Sequence, residues 1–242
     1  MPEGPSIFIL REQLSAFAGK KVHEVEGTAK TDIAQIEGKT IKSIRSWGKH
    51  LLICFDRFHV DIHLLMFGTV RVNERKELKP RLSMRFSRNQ EINFYTCQVR
   101  IVDGEPAYDG SADVLSPEWN NARAGRKLKE YPDEMICDLL LDQNIFAGVG
   151  NIIKNEVLWY QRLHPENRLG GLSAGKRRAM IREAVRFSYQ FLAWKREFVL
   201  KKNLKVHGKK VCPRCGLKLV LSYPGKRRRR SFYCGGCQRV YG

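Results

Sequence analysis

No apolar run in this 242-residue chain reaches the roughly 18–20 residues that cross a bilayer. The opening residues include Glu3 and lack both the basic n-region and the apolar h-region of a secretory signal. Together these absences predict an intracellular protein with no membrane association. Negative charge is also scarce: 25 Asp and Glu stand against 44 Lys and Arg, a net charge of +19. Such an excess implies a polyanionic partner, and with the membrane set aside, nucleic acid leads. From His207 to Gly242 there is no Asp or Glu at all, so the cations there have no local counter-charge. An even cysteine count is missing too. Seven cysteines, four of them clustered near the C-terminus, argue against a disulfide framework and for a reducing compartment. Cys54 and Cys137 lie in apolar contexts and read as small buried thiols, and Cys97 falls in a turn-like stretch.

What is present begins with Met1-Pro2-Glu3-Gly4. Trimming Met1 would leave Pro2 as a secondary amine beside a carboxylate. An α-amino group has a pKa of about 7.7–8.0, against about 10.4 for lysine, so part of it is nucleophilic near neutrality. Condensation with a sugar aldehyde would give a cationic iminium, an electron sink favouring elimination, with Glu3 placed to move protons. Taken alone, the same residues read first as a frayed terminus with an incidental Pro and Glu.

Ile7, Leu10, Leu14 and Phe17 recur at helical spacing after Pro5, predicting one helix from Pro5 to Phe17. Beyond Gly19 the period changes to two, through Val22 and Val25, Ile41 and Ile44, Leu51 to Phe55, Val60 to Leu64, Val70 and Val72, Leu82 to Phe86, Ile92 and Phe94, and Val99 and Ile101. Eight short strands follow, as a sandwich or flattened barrel. Residues 107–129 read as a linker rich in Gly, Ser, Asp, Asn and cations. Helices are then expected from Pro132-Asp133, from Ile152 to Leu163 and from Ser173 towards Phe198, the last carrying a basic run that is either a solvated face or a DNA contact.

Cys212-Pro213-Arg214-Cys215 and Cys234-Gly235-Gly236-Cys237, eighteen residues apart, have the spacing of a tetrahedral Zn²⁺ site whose intervening segment folds as a hairpin. Lys226, Arg227, Arg228, Arg229 and Arg230 fall at its tip, where phosphate contact is expected. Ala147-Gly148-Val149-Gly150-Asn151 lacks the strand that a dinucleotide site requires, and points instead to a phosphate at a helix N-terminus. Asn151 either contacts that phosphate or caps the helix. Lys49, after Trp47-Gly48, lies between two strand-like stretches and could be an ordinary surface lysine. Leu65, Met66 and Phe67 run into Gly68, where they could fill the space left by an everted base or simply end a buried strand.

Taken together, Met1-Pro2-Glu3-Gly4-Pro5, the Gly48-Lys49 turn, Asp142-Gln143 through Gly148-Val149-Gly150-Asn151-Ile152 with Glu156, and the four-cysteine element ending in Ser231-Phe232-Tyr233-Cys234-x-x-Cys237-Gln238 resemble the formamidopyrimidine-DNA glycosylase/endonuclease VIII family of base-excision repair enzymes. The resemblance spans nearly the whole chain in the family's order. It implies an α+β fold: an eight-stranded β-sandwich with an N-terminal helix (residues 1–117), a linker and helix-two-turn-helix domain (118–205), and a four-cysteine zinc-finger hairpin (206–242). It implies Pro2 as nucleophile, Glu3 as acid/base, Lys49, Asn151 and Arg229 as phosphate contacts, with Arg228 and Arg230 as neighbours of the last, and Leu65, Met66 and Phe67 as the group filling the void in the duplex. The implied cofactor is one structural Zn²⁺ on Cys212, Cys215, Cys234 and Cys237. The implied partner is damaged double-stranded DNA, bound by a monomer, cleaved by β,δ-elimination after base excision. Ser6 replaces the glutamate common after the opening motif, and Tyr95-Thr96-Cys97-Gln98-Val99-Arg100 lacks a Pro-Arg-Arg-Phe-type loop. Both departures favour the endonuclease VIII-like branch and oxidised pyrimidines. An abasic-site lyase with weak glycosylase activity, a glycosylase for oxidised purines, and a non-catalytic zinc-finger DNA-binding protein are the other readings.

Overall fold

The computed structural model describes residues 2–241. Met1, whose removal would free the Pro2 nitrogen, lies outside the described residues, as does Gly242. The chain divides into two compact units, Met1–Tyr108 and Asp109–Gly242.

In the first unit, helix α1 (Gly4–Leu14) starts with proline in its first turn and continues as a 3-10 turn, Ser15–Phe17. Its Ile7 and Leu14 are fully buried, and it packs on strands β2 (Ser43–Trp47) and β3 (His50–Cys54). Eight strands follow the predicted alternation. Strand β1 (Glu24–Glu26) joins β6 (Leu82–Arg85), β7 (Glu91–Tyr95) and β5 (Thr69–Val72) in one antiparallel sheet, in the order β1-β6-β7-β5. The other sheet is β2-β3-β4-β8, with β4 at Phe58–His63 and β8 at Gln98–Asp103. Leu51, Ile53, Val60, Ile62 and Val99 of this sheet share one core with Leu82, Met84, Ile92 and Phe94 of the first, the sandwich that two half-apolar sheets form to hide one face each.

In the second unit, three differences from the sequence reading stand out. Part of the expected linker is helix α2 (Asn121–Lys129), capped by the Asn120 side chain accepting from the Arg123 N–H. Residues 109–117 also belong to this unit, with the Val114 N–H donating to the Ala147 carbonyl and the Ala147 N–H to Ala112. Only Ala124 and Leu128 of α2 are buried, an i, i+4 pair too sparse to reveal a period. The helix expected from Pro132-Asp133 is short, α3 (Ile136–Leu139). Helix α4 (Asn151–Tyr160) lies against α5 (Ala174–Arg196) on one side and the finger on the other, and is buried nearly all round. Ser173 caps α5 through its hydroxyl, which accepts from the Lys176 N–H. A short helix, α6 (Leu200–Asn203), leads to the finger hairpin of β9 (Val220–Ser222) and β10 (Ser231–Tyr233), which pair antiparallel.

Candidate active site and nucleic-acid interface

Each unit carries its own set of functional groups. In the first, Glu3 stands in extended conformation at the N-cap of α1 and is fully buried, while Pro2 before it is half-buried. The Glu3 carbonyl accepts the Ser6 and Ile7 N–H groups at 2.8 and 3.2 Å, so the backbone of Glu3 is held to the first helical turn.

Lys49 sits in the two-residue turn joining β2 to β3, which the Trp47–His50 pair closes. Gly48 takes φ +52 at the first turn position, where a type II′ hairpin needs glycine. Behind the turn, on the sheet face away from the core, is a polar cluster. The buried Asp61 receives the His50 ring Nδ1 at 2.7 Å on one oxygen, and Tyr108 Oη at 2.7 Å and Arg100 at 3.1 Å on the other. Burial alone would raise the Asp61 carboxyl, but these partners hold it below the usual carboxylate range. Tyr108 stacks on Trp47 with ring centroids 4.6 Å apart, and its hydroxyl is pushed up by burial and by the Asp61 carboxylate. His63, opposite His50 in the register, is pushed down by burial, by His50 and by the Lys49 charge.

The His63 ring also accepts the Leu65 N–H at 3.3 Å, fixing the start of the loop after β4. Leu65 is left-handed at φ +53, and a Cβ on Gly68 would fall 2.1 Å from the Leu64 carbonyl oxygen, so the loop needs glycine there. Leu65, Met66 and Phe67 are 47%, 49% and 75% exposed. The buried strand end is Leu64, and the three residues beyond it form an exposed apolar wedge.

In the second unit, the cap of α4 is Gly150, not Asn151. Asn151 is the first helical residue, 6% exposed, with its Oδ1 buried and without a hydrogen-bond partner among the described residues. The turn before it is stapled by Gln143, whose Oε1 accepts the Gly148 N–H and whose Nε2 donates to the Leu141 and Val149 carbonyls. Further along α4, three successive polar residues are buried. Glu156 accepts the N–H groups of Lys205, Val206 and His207 at 2.8–2.9 Å, although burial keeps its carboxyl above the usual range. Lys154 Nζ donates to the Arg230 carbonyl at 3.2 Å and Ser231 Oγ at 2.7 Å, and Asn155 Nδ2 to that same carbonyl at 3.4 Å.

These contacts clamp one end of the finger tip. The other end is held by Asp138 near the end of α3, which accepts the Lys226 and Arg227 N–H groups at 2.7 and 3.1 Å. Between the clamps Arg228 is left-handed at φ +44 and exposed, Arg229 is half-buried, and Arg230 lies 5.5 Å over the Phe232 ring. His50, Asp61, His63, Asp138, Lys154 and Asn155 were not singled out by sequence. The one available signal was the polar triplet 154–156 inside a helix; Asp61 falls at a polar position of the alternation from Phe58 to Leu64.

The sulfurs of Cys212, Cys215, Cys234 and Cys237 lie within 4.8 Å of one another, with Cys215–Cys234 at 3.4 Å and Cys212–Cys237 at 4.0 Å. A tetrahedral ion with bonds of about 2.3 Å to sulfur has edges of about 3.8 Å, so the four thiols fit one. Against the cost of burial, the Trp159 indole N–H and the Arg214 and Cys215 backbone N–H groups hold the Cys212 thiol low, at about 6, in favour of thiolate. Burial and the crowding sulfurs push Cys237 the other way, as expected for a set that needs a cation to ionise together.

A sandwich unit with a buried carboxylate directly after Pro2 is joined in sequence to a helical unit that carries a four-cysteine hairpin. Residues 1–100 match the family model described as formamidopyrimidine-DNA glycosylase N-terminal domain, and residues 111–190 the formamidopyrimidine-DNA glycosylase H2TH domain. The chain belongs to the formamidopyrimidine-DNA glycosylase/endonuclease VIII family, on its endonuclease VIII-like branch. It is 29% identical to endonuclease 8-like 3 of Mus musculus over 213 residues, 84% of this chain and 35% of that protein. To endonuclease 8-like 2 of Bos taurus it is 32% identical over 189 residues, 72% of this chain and 56% of that one. The chain thus spans about a third to a half of the length of these relatives. Its fold is that of the Lactococcus lactis formamidopyrimidine-DNA glycosylase crystallised with AP-site DNA, at a TM-score of 0.86 and 23% identity over 98% of this chain and 99% of that one. It is also that of a viral DNA glycosylase, at 0.84 and 18% over 98% and 100%.

Proposed function

We propose that the chain is a bifunctional DNA glycosylase and abasic-site lyase acting as a monomer on oxidised bases, pyrimidines foremost, in double-stranded DNA. The observation that carries this is the Pro2-Glu3 pair: a carboxylate fully buried and backbone-locked at the head of α1, directly after a half-buried proline.

With Met1 removed, the Pro2 nitrogen attacks C1′ of the everted nucleotide. The bond from C1′ to the base breaks, and the base leaves with a proton that Glu3 relays. The sugar ring opens to an iminium on the Pro2 nitrogen, which accepts electrons as the 3′ and then the 5′ carbon–oxygen bonds break by β- and δ-elimination. Hydrolysis releases the enzyme. Eversion costs a few kcal/mol, least for a damaged base, and the exposed Leu65-Met66-Phe67 wedge offers apolar surface to the space vacated in the stack. Lys49 on its glycine turn contributes a phosphate contact in the first unit. In the second, the Asn151 amide, whose oxygen has no described partner, and Arg229 contribute two more. The four thiolates suit Zn²⁺, which supplies cross-linking of the finger and, with no open position, no chemistry. Thiolates kept free for a metal require a reducing, intracellular setting.

Borohydride trapping on duplexes that each carry one defined lesion or an abasic site tests the reading. A covalent complex is expected with the trimmed protein, a diminished one with Pro2→Ala, whose terminus is still an amine, and none with a tag retained before Pro2. Absence of any adduct with the native protein, alongside tight lesion binding, would make it a non-catalytic DNA-binding protein. An adduct on abasic DNA alone would make it a lyase without base excision.

A further inference from the structure

Helices α2 and α5 pack through Ala124, Leu128 and Ile181, all at most 3% exposed. Beside that contact a groove of about 510 Å³ opens between them. Its floor is apolar and built from absence: Gly125, Ala122 and Ala174 present little side chain, leaving Leu128 and Ile181 at the bottom. A Cβ added at Gly125 would meet only Ile181 Cδ1, at 3.8 Å, so the space is not filled by neighbours. The rims are cationic on both sides, with Arg126 and Lys129 from α2 and Arg177, Arg178 and Arg182 from α5. No acidic residue lines it.

Elsewhere on or next to these two helices cations have carboxylate partners: Arg123 with Asp109, Lys127 with Glu130, Arg186 with Glu183. None of the five rim cations has one among the described ion pairs. Like charges gathered around one groove repel and weaken the fold, whereas an anionic occupant turns the same arrangement into affinity and specificity. The apolar floor separates the possible occupants. A nucleic-acid backbone satisfies the rims and leaves the floor without a partner. An acidic peptide with one or two apolar side chains satisfies both, as helix-in-groove partners do. None of the residues assigned to base excision or metal binding lines this groove, and of the basic run of α5, for which DNA contact is the other reading, Arg177, Arg178 and Arg182 stand on its rim.

We infer that the α2–α5 groove is a docking site for an acidic, amphipathic peptide segment of a partner protein, its carboxylates on the rims and an apolar side chain on Leu128 and Ile181.

The probe is a fluorescein-labelled 16-residue peptide with Leu at helical spacing among Glu and Asp, followed by polarisation against the full chain with its metal bound. At net +19 any acidic peptide is attracted, so the decisive comparisons leave charge unchanged. Replacing the peptide's Leu by Ser should weaken binding tenfold or more. Gly125→Leu, which fills the floor and suits a helix better than glycine, should do the same while affinity for undamaged duplex DNA stays within twofold. Ala174→Met is the second filling variant should Gly125→Leu not fold. Arg126→Glu combined with Arg178→Glu should abolish peptide binding. Equal binding of the Leu and Ser peptides, or unchanged binding by the filled variants, would reduce the effect to bulk charge and overturn the proposal. A loss of duplex affinity in the filled variants as large as the loss for the peptide would overturn it in favour of a nucleic-acid surface.

Discussion

Lys154 shows what burial asks of a single charge. At 1% exposure its ammonium is held by the Arg230 carbonyl and the Ser231 hydroxyl, so a residue that would ordinarily coat a helix instead supports the finger from beneath. Lys154→Ala should leave that carbonyl and hydroxyl short of a donor in a buried setting, at a cost of about 1–3 kcal/mol. Thermal denaturation of the metal-loaded protein reads this, and an unchanged midpoint would mean that Asn155 alone satisfies the carbonyl. Its neighbour His207 makes a pH prediction. Burial, with the Lys154 and Arg230 charges, lowers the His207 ring to about 4, and its Nδ1 faces the Asn155 amide. The unfolded chain takes up this proton near the ordinary value of about 6.5 and the folded one does not. Stability from the neutral ring is therefore complete above about 6.5 and is lost as the pH falls towards about 4. Melting midpoints between pH 7 and 4 should fall in the native chain and fall less in His207→Gln.

At the scale of elements, the finger tip is shaped as much by helices as by the cysteines. Asp138 holds its first residues, Lys154 and Asn155 its last, and Gly225 makes the first contact possible. Gly225 has φ +74, and a Cβ there would fall 2.2 Å from Asp138 Oδ2. Gly225→Ala must therefore strain the backbone and push the carboxylate off the Lys226 and Arg227 N–H groups. We expect roughly a tenfold loss of DNA affinity, the equivalent of about 1.4 kcal/mol, with bound zinc per chain unchanged. Loss of metal together with affinity would show that the tip and the four-cysteine site are one unit. Of this clamp only the polar triplet 154–156 was visible in the sequence. Periodicity marked the eight strands and α1 because apolar residues recur along them at spacings of two or of a helical turn, although β3 and β4 are buried on both faces. It missed α2, whose nine residues bury only Ala124 and Leu128 among cations. The spacing of the cysteines pointed directly to the four-thiol cluster, which could hold a metal ion. The Asp61 cluster was hidden because it exists only once register sets Asp61 opposite Arg100 and lays His50 against His63, and because Tyr108, from outside the strands, then covers it.

At the scale of the molecule, the net charge of +19 makes ionic strength the natural variable. Each phosphate neutralised releases condensed counterions, so the logarithm of affinity falls with that of salt by about 0.9 per contact on duplex DNA. Residues that only grip phosphate should therefore change a slope, and residues that only do chemistry should not. Lys49→Ala and Arg229→Ala should each weaken binding to a lesion duplex and make the slope shallower by about 0.9, and the double variant by about 1.8. Glu3→Gln keeps every cation and the backbone lock of α1, so its slope and affinity should match the native chain while base release is lost. Removing the metal should act on several contacts at once. Beyond the Cys212 and Cys234 sulfurs, the finger core contains little besides Trp159, Val206, Leu219 and Phe232, too small an apolar group to hold a hairpin that carries five successive cations without its cross-link. Chelation should thus flatten the slope by more than Arg229→Ala does, and zinc should restore it. A chelated protein whose slope equals that of Arg229→Ala would show that Arg229 is the finger's one phosphate contact and that the remaining cations of the tip stay in solvent.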